Sequence, residues 1–263
     1  MKRLAVFLFT AIVFFALSLG LVNSQPVEFY TKKISGFTVN VVEVDIKDPS
    51  VNVKPAVAEN DSKPGYPKET LASFINRTNP VAVINGTYHD TITYKPTGTI
   101  IVDGKVENIG CVGTVVGFNY NGTVEFYLAD GLKKYYIPWN TFEHVICTGP
   151  TLVFAGELYL NAKKEGFKDP RVLGYAERSV LGLTDEGKLI FATIKNAVSL
   201  RQTAQIMLAL KCKYAVCLDG GSSSGLYYNG KYLTYSNRKI TNALAVTYNG
   251  LQYGGFIQTA YNR

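Results

Sequence analysis

Histidine, cysteine, methionine and tryptophan are scarce in this chain: two, four, two and one of them among 263 residues. The two histidines, His89 and His144, stand far apart, and Cys111, Cys147, Cys212 and Cys217 form no Cys-x-x-Cys pair. That combination leaves no ligand set for a structural zinc centre, and no metal is expected. An even cysteine count in an exported chain is compatible with two disulfides, in any of three pairings, or with four buried thiols. A dense basic block is missing, as is any stripe of interleaved arginine and aromatic residues, so nucleic acid is not expected as a partner. Beyond residue 22 no apolar run is long enough to cross a membrane as a helix. Nor is there an internal repeat or a low-complexity segment.

What is present favours β-structure. The chain holds 18 Tyr and 14 Phe, and 47% of its residues are hydrophobic. Aromatic and β-branched side chains fit a pleated, half-buried surface. Residues 1–24 read as a secretion leader: Lys2 and Arg3, then an uncharged apolar run over residues 4–22, then polar Asn23 and Ser24. Cleavage after Ser24 gives a secreted or extracytoplasmic protein. The run is also long enough to stay as an uncleaved anchor, the one route to a membrane. Residues 25–263 suit a single domain. The formal charge is +7, or +5 once Lys2 and Arg3 are removed, and it is scattered. Such a surface is compatible with anionic glycans or phosphate-rich polymers.

Strand-like text follows the leader. Residues 37–46 alternate, residues 51–57 form a second candidate strand, and residues 61–67 form a loop. Pro67 suits a first helical position, and Leu71, Phe74 and Ile75 follow with helical spacing. A short apolar strand at residues 81–84 then delivers Asn85-Gly86-Thr87-Tyr88-His89-Asp90. Hairpin turns are expected at Asn121-Gly122, at residues 155–157, at residues 185–188 and at Asn229-Gly230. Ser199 and Gln202 match a capping box opening a second helix, with Leu200, Ala204, Met207, Leu208 and Lys211 on one face. With helices so few, the expected class is α+β: a large mixed or antiparallel β-sheet system curled around one or two helices.

Three short strands end in small and polar residues, a common way to gather a site on rigid supports. They lead into Asn85-Gly86, through Glu177-Arg178-Ser179, and into Asp219-Gly220-Gly221-Ser222-Ser223-Ser224. The two glycines after Asp219 let the backbone approach a ligand closely, and successive amides there suit an anion. Gly221 to Gly225 also fits Gly-x-Ser-x-Gly, the nucleophile elbow of serine hydrolases, with Ser223 as nucleophile. Both histidines precede it, against the chain order of that fold.

Several motifs occur together and in order: Asn85-Gly86 with Tyr88 and Asp90, Gly149-Pro150-Thr151-Leu152, Arg178-Ser179-Val180-Leu181-Gly182, Leu218-Asp219-Gly220-Gly221-Ser222-Ser223, and Arg238 with Asn242-Ala243. In this the chain resembles the phosphodiester glycosidase family. Thr87, His89, Cys217 and Ser222 depart from the family pattern. The resemblance implies hydrolysis of the bond between a sugar C1 and a phosphodiester oxygen, with a glycan or sugar-phosphodiester as partner and no cofactor required. Asp219, Arg178 and Asp90 are the implied catalytic residues, with Glu177 a further carboxylate. Asn85, Gly86, Tyr88, His89, Gly220, Gly221, Ser222, Ser223, Arg238 and Asn242 are the implied binding residues. An acidic phosphate leaving group needs cations more than a proton, and a carboxylate beside the sugar carbon stabilises oxocarbenium charge. His89 either protonates a leaving oxygen or sits exposed on its loop, and Asn85 either binds sugar or holds its turn with left-handed backbone. A binding module that holds an anionic glycan without cleaving it, and a serine hydrolase using Ser223, are the competing readings.

Overall fold

The computed structural model describes residues 25–59, 65–110, 112–128 and 137–249. The expected leader over residues 1–24, Cys111 and part of the loop at residues 61–67 lie outside them. The first half runs β1 (Val27–Ile34), β2 (Phe37–Asp45), β3 (Val51–Val57), helix α1 (Leu71–Thr78), β4 (Ala82–Asn85), β5 (Ile100–Val102), β6 (Lys105–Asn108), β7 (Thr114–Asn119) and β8 (Val124–Tyr127). It continues with β9 (Phe142–Thr148), β10 (Thr151–Phe154), β11 (Glu157–Leu158), helix α2 (Pro170–Leu173), β12 (Ala176–Thr184) and β13 (Lys188–Val198). Helix α3 (Leu200–Ala209), β14 (Cys212–Cys217), β15 (Leu226–Tyr228), β16 (Lys231–Thr234) and β17 (Asn242–Tyr248) complete it.

Three sheets result, ordered β1-β2-β13-β12-β14-β10-β11, β16-β15-β4-β17-β3 and β6-β5-β9-β7-β8. Each pairing within them is antiparallel. Strand β2 shows how the layers form. Val42 and Val44 point to a core shared with Phe191, Ile84, Leu244 and Ile146, so the first sheet packs there against the other two. Val39 and Val41 point the opposite way, to Ile190, Ala204 and Met207 under α3. Side chains alternate with period 2, and both faces of this strand are covered, so adjacent Val41 and Val42 are both buried.

The class is therefore α+β but strand-dominated, and it differs from expectation in one respect. The helices lie outside the sheets, not enclosed by them: α3 covers the first sheet, and Leu71 and Phe74 of α1 cover the second against Val83 and Ala245. A short amphipathic helix has one apolar stripe, enough to cap a sheet face and too little to fill a barrel.

The local signals at α3 are present as read, with both halves of the Ser199–Gln202 capping box formed. Lys211, expected on its apolar face, lies past its end at φ 60° and is exposed, and Ile206 is buried with Ala204 and Met207. Helix α1 starts later than Pro67 suggested, because Thr70 Oγ1 accepts from Ser73 N and makes Thr70 the N-cap. Gly182, the motif glycine, gives α3 its closeness to the sheet. A Cβ there would stand 2.6 Å from Cys212 Sγ and 2.8 Å from Met207 Cε. Cys147, Cys212 and Cys217 are buried free thiols.

Candidate active site

Strands from two sheets end at one place. Asn85 closes β4 in the second sheet, while Ser179 lies in β12 and Asp219 just past β14 in the first. The buried Asn85 amide joins them: Nδ2 donates to Asp219 O at 2.7 Å, and Oδ1 accepts from Ser179 Oγ at 2.7 Å and Gly225 N at 3.0 Å. Asp219 N donates to Gly86 O at 3.0 Å, and Gly86 N to Asn242 O at 2.9 Å. Asn242 acts alike on the next residue, accepting from Thr87 N at 2.7 Å and donating to Thr87 O at 3.2 Å. Gly86 has to be glycine for this, since a Cβ would fall 1.9 Å from Asn242 Oδ1. Asn242 was expected to bind substrate, and Asn85 either to bind sugar or to hold its turn with left-handed backbone. The structure turns their amides inward, where they pin the floor of the site, and Asn85 does so without left-handed backbone.

Above this floor lies a cleft of about 310 Å³. Tyr88, His89, Asp219, Gly220, Ser222 and Arg238 form one part of its wall, and the segment around α2 forms the other. A larger groove of about 780 Å³ opens elsewhere, beside Ile46, His144 and Lys213. Turn residues such as Lys47, Asn121 and Gly187 line it together with strand residues such as Val53, Phe118 and Tyr214. Its one histidine, His144, is buried and accepts from Asp103 N at 3.0 Å, while Asp103 pairs with Lys54 at 3.3 Å. The chemistry-bearing residues converge on the smaller cleft, which decides between them.

Asp219, His89 and Arg238 form a chain across the cleft. Arg238 Nη2 donates to His89 Nε2. A guanidinium has no acceptor, so the imidazole proton sits on Nδ1, which faces Asp219 Oδ2 at 3.7 Å. Burial lowers the His89 pKa to about 4, helped by the nearby Arg238 and Lys68. The ring is therefore neutral at pH 7 and accepts a bond at Nε2, which corrects its expected role as a proton donor to the leaving oxygen, and it is buried, not exposed. Burial raises Asp219 to about 6, against the opposing pull of Ser223, Arg238 and the Gly220 amide. The Ser223 hydroxyl is near enough to affect Asp219, yet its geometry falls short of a hydrogen bond and it has no partner among the described residues. The Tyr88 hydroxyl is likewise buried and without a partner, and burial holds its pKa well above 10.

Other expected residues sit differently. Arg178 borders the cleft, but its guanidinium donates to Val198 O at 3.3 Å, Val172 O at 3.0 Å and Gly174 O. It anchors α2 to the sheet, so most of its donor capacity is turned away from any ligand. Asp90 is exposed and outside the cleft. Its carboxylate caps its own loop, accepting from Ile92 N, Thr93 N and Thr93 Oγ1 at 2.7–3.0 Å. Glu177 is half-buried and not in the cleft wall. Ser223 is fully buried and bonded to no histidine, which removes the basis for a serine nucleophile. Gly220 is tied to its place because a Cβ would stand 2.7 Å from Glu177 O, and Gly221 turns at φ 59°.

The α2 wall was missed in the sequence. Asp169, Arg171 and Tyr175 line it, with Asp169 and Arg171 paired at 2.6 Å. Asp169-Pro170 is an N-cap followed by a first-position proline, a readable signal that would have placed Arg171 in a first turn.

A family model described as phosphodiester glycosidase matches residues 78–247, well over half of the chain. No curated protein matches it in sequence. Solved structures share the fold. A hypothetical protein from Synechocystis has TM-score 0.71 at 16% identity, over 86% of this chain and 64% of that one, so this chain spans less than two thirds of it. The zebrafish N-acetylglucosamine-1-phosphodiester alpha-N-acetylglucosaminidase catalytic domain, auto-inhibited by its pro-peptide, has TM-score 0.67 at 22% identity, over 86% of this chain and 85% of that one. A protein of Burkholderia pseudomallei described as exported has TM-score 0.63 at 14% identity, over 80% and 74%.

Proposed function

Because the chain belongs to the phosphodiester glycosidase family, we propose that it is an exported hydrolase that cleaves the bond between a sugar C1 and a phosphodiester oxygen. Water supplies the hydroxyl on the sugar, and the phosphorus fragment leaves as a phosphomonoester. The observation that carries this reading is the meeting of one carboxylate and one arginine, Asp219 and Arg238, across a neutral imidazole in a single cleft.

The roles follow from charge. As the C1–O bond stretches, positive charge grows on the sugar and negative charge on the departing phosphate. Ionised Asp219 stabilises the first, and Arg238 the second through charge-assisted hydrogen bonds. A phosphate departs as a weak base, so no general acid has to protonate it, consistent with a neutral His89. That histidine instead fixes the Arg238 guanidinium at Nε2 and presents its Nδ1 proton towards Asp219. The Tyr88 hydroxyl, held protonated, is a donor for a substrate oxygen. Arg178 acts one step removed, by holding α2 and with it Arg171 and Tyr175 against the cleft. Export rests on the leader sequence at residues 1–24.

The test is release of sugar and phosphomonoester from a chromogenic sugar phosphodiester. Wild type and Ser223→Ala should turn over, and Asp219→Ala should not. Binding without turnover by wild type, unchanged in Asp219→Ala, would leave a glycan-binding module instead. The leader is checked by the mass of the mature N-terminus.

A further inference from the structure

Tyr175 lines the cleft and keeps 70% of its surface exposed. Scattered exposed aromatics are ordinary, but this one is held from both sides. Before it, Gly174 N donates to Pro170 O at 2.8 Å, and Gly174 O accepts from Arg178 Nη2. Glycine permits that approach, since a Cβ at residue 174 would stand 2.9 Å from Pro170 O. After it, Ala176 opens β12 and pairs with Val198, whose carbonyl also accepts from Arg178 at 3.3 Å. A buried guanidinium thus fixes the backbone on either side of the ring. Among the described residues no other ring and no cation packs on Tyr175. The ring is held at the cleft and left uncovered there.

Its neighbours on the α2 wall decide what could cover it. The Asp169 carboxylate takes Arg171 Nε at 3.1 Å and Nη2 at 2.6 Å. The pair keeps further N–H groups and oxygen lone pairs for a ligand, so it offers donors and acceptors together. A sugar ring matches this wall. Its C–H face covers an aromatic ring, and its hydroxyls both give and accept hydrogen bonds. A phosphate matches it poorly, because the face of an aromatic ring is its negative side and Asp169 is a carboxylate. Charge points the same way. With His89 neutral, the charged residues of the cleft wall are Arg171, Arg178 and Arg238 against Asp169 and Asp219, an excess of one positive charge. The reacting phosphodiester alone cancels it, so the group resting on Tyr175 has no charge left to match.

We propose that Tyr175 determines specificity for the sugar: it stacks on the ring whose C1–O bond is broken, with the Asp169–Arg171 pair along the hydroxyl edge. The substrate then lies with its sugar on the α2 wall and its phosphate at Arg238. The site takes a neutral pyranose and disfavours an anionic one, whose carboxylate would meet Asp169 and the ring face. Which bond is broken rests on the proposed reaction, but sugar contact at Tyr175 does not.

The test uses methyl and phenyl phosphodiesters of the 1-phosphates of glucose, galactose, mannose, N-acetylglucosamine and glucuronic acid. Turnover by the mature protein is followed as released sugar, and binding to Asp219→Asn by calorimetry. With the best neutral sugar, Tyr175→Ala should raise KM about tenfold, the loss of one stacked ring, and change kcat less than about twofold. Tyr175→Phe keeps the ring and should stay within about twofold of wild type. The loss should be equal for methyl and phenyl diesters, and inhibition by phenyl phosphate should not change. A loss confined to the phenyl diester places the leaving group on Tyr175 and overturns the proposal. So does weaker phenyl phosphate inhibition of the same size, which would mean that the α2 wall has merely loosened. Binding of glucuronic acid diesters alone, or of no neutral one, overturns it as well. Turnover with wild-type KM in Tyr175→Ala removes the stacking role and leaves the reaction. Tyr175-dependent binding without turnover in wild type removes the reaction and leaves the sugar contact.

Discussion

Replacing Asp219 with Asn should inactivate the protein and stabilise it at the same time. The carboxyl keeps 16% of its side-chain surface exposed, and burial lifts its pKa from 3.8 to about 6. Below pH 4 it is protonated whether the chain is folded or not, and its burial costs little. Between pH 4 and 6 the folded state holds the proton and the unfolded state releases it, so stability falls as pH rises. Above pH 6 the loss is complete, and a displacement from 3.8 to about 6 corresponds to about 3 kcal/mol. A carboxamide has the same shape and carries no charge. Asp219→Asn should therefore gain up to about 3 kcal/mol at pH 7.5, or about 6–12 °C in Tm, and little at pH 4. Its kcat should fall by at least about a hundredfold. Urea unfolding followed by the fluorescence of Trp139, the single tryptophan, measures the first quantity at both pH values. If the variant gains nothing at pH 7.5, or gains equally at pH 4, burial is not what governs this carboxyl and the electrostatic account fails.

The remaining expectations concern its neighbours. The pH profile of kcat/KM should rise through about pH 6 as Asp219 ionises, and Arg238→Gln, which removes a cation that lowers the Asp219 pKa, should move that rise to higher pH. A profile that stays in place refutes the pairing. Gly86→Ala forces a Cβ to within 1.9 Å of Asn242 Oδ1 and should cost about 1–3 kcal/mol in urea unfolding, with turnover falling alongside. Arg178→Met frees three carbonyl acceptors and should cost roughly 3 kcal/mol. It should raise KM more than it lowers kcat, since it loosens the α2 wall and leaves Asp219 in place. The opposite split would mean that Arg178 itself contacts the reacting phosphate.

Features set by neighbours in sequence were legible. The Ser199–Gln202 box, the Asn121-Gly122 and Asn229-Gly230 hairpins and the strand that delivers Asn85 depend on a few consecutive residues, and each stands where it was read. The convergence of Asp219 and Arg238 was legible through the resemblance. What escaped depends on packing between sheets. Nothing local says that Arg178 points to Val172 and Val198, or that Asn85 and Asn242 spend their amides on backbone from other strands. That three sheets stack with helices outside follows from both faces of β2 being covered, which its alternation alone leaves open. Asp90 is a different kind of miss. Asp-x-x-Thr at residues 90–93 is a loop-capping pattern, and the chance of a catalytic carboxylate outweighed it.

The two inward asparagines have a dynamic consequence. Because Asn85 and Asn242 fasten β4, β12, β14 and β17 to one another beneath the cleft, the ground on which catalysis would occur cannot loosen without parting two sheets. The amides of Gly86 and Asp219 belong to that fastening, so they should exchange with solvent deuterium only when the whole domain unfolds. Accommodation of differently shaped substrates is left to the rim, where the Thr91 to Lys95 loop is capped by Asp90 and α2 is held to the sheet through the Arg178 side chain. Variation among relatives in what they accept should accordingly be written in those rim residues, while the asparagine-bound ground stays the same.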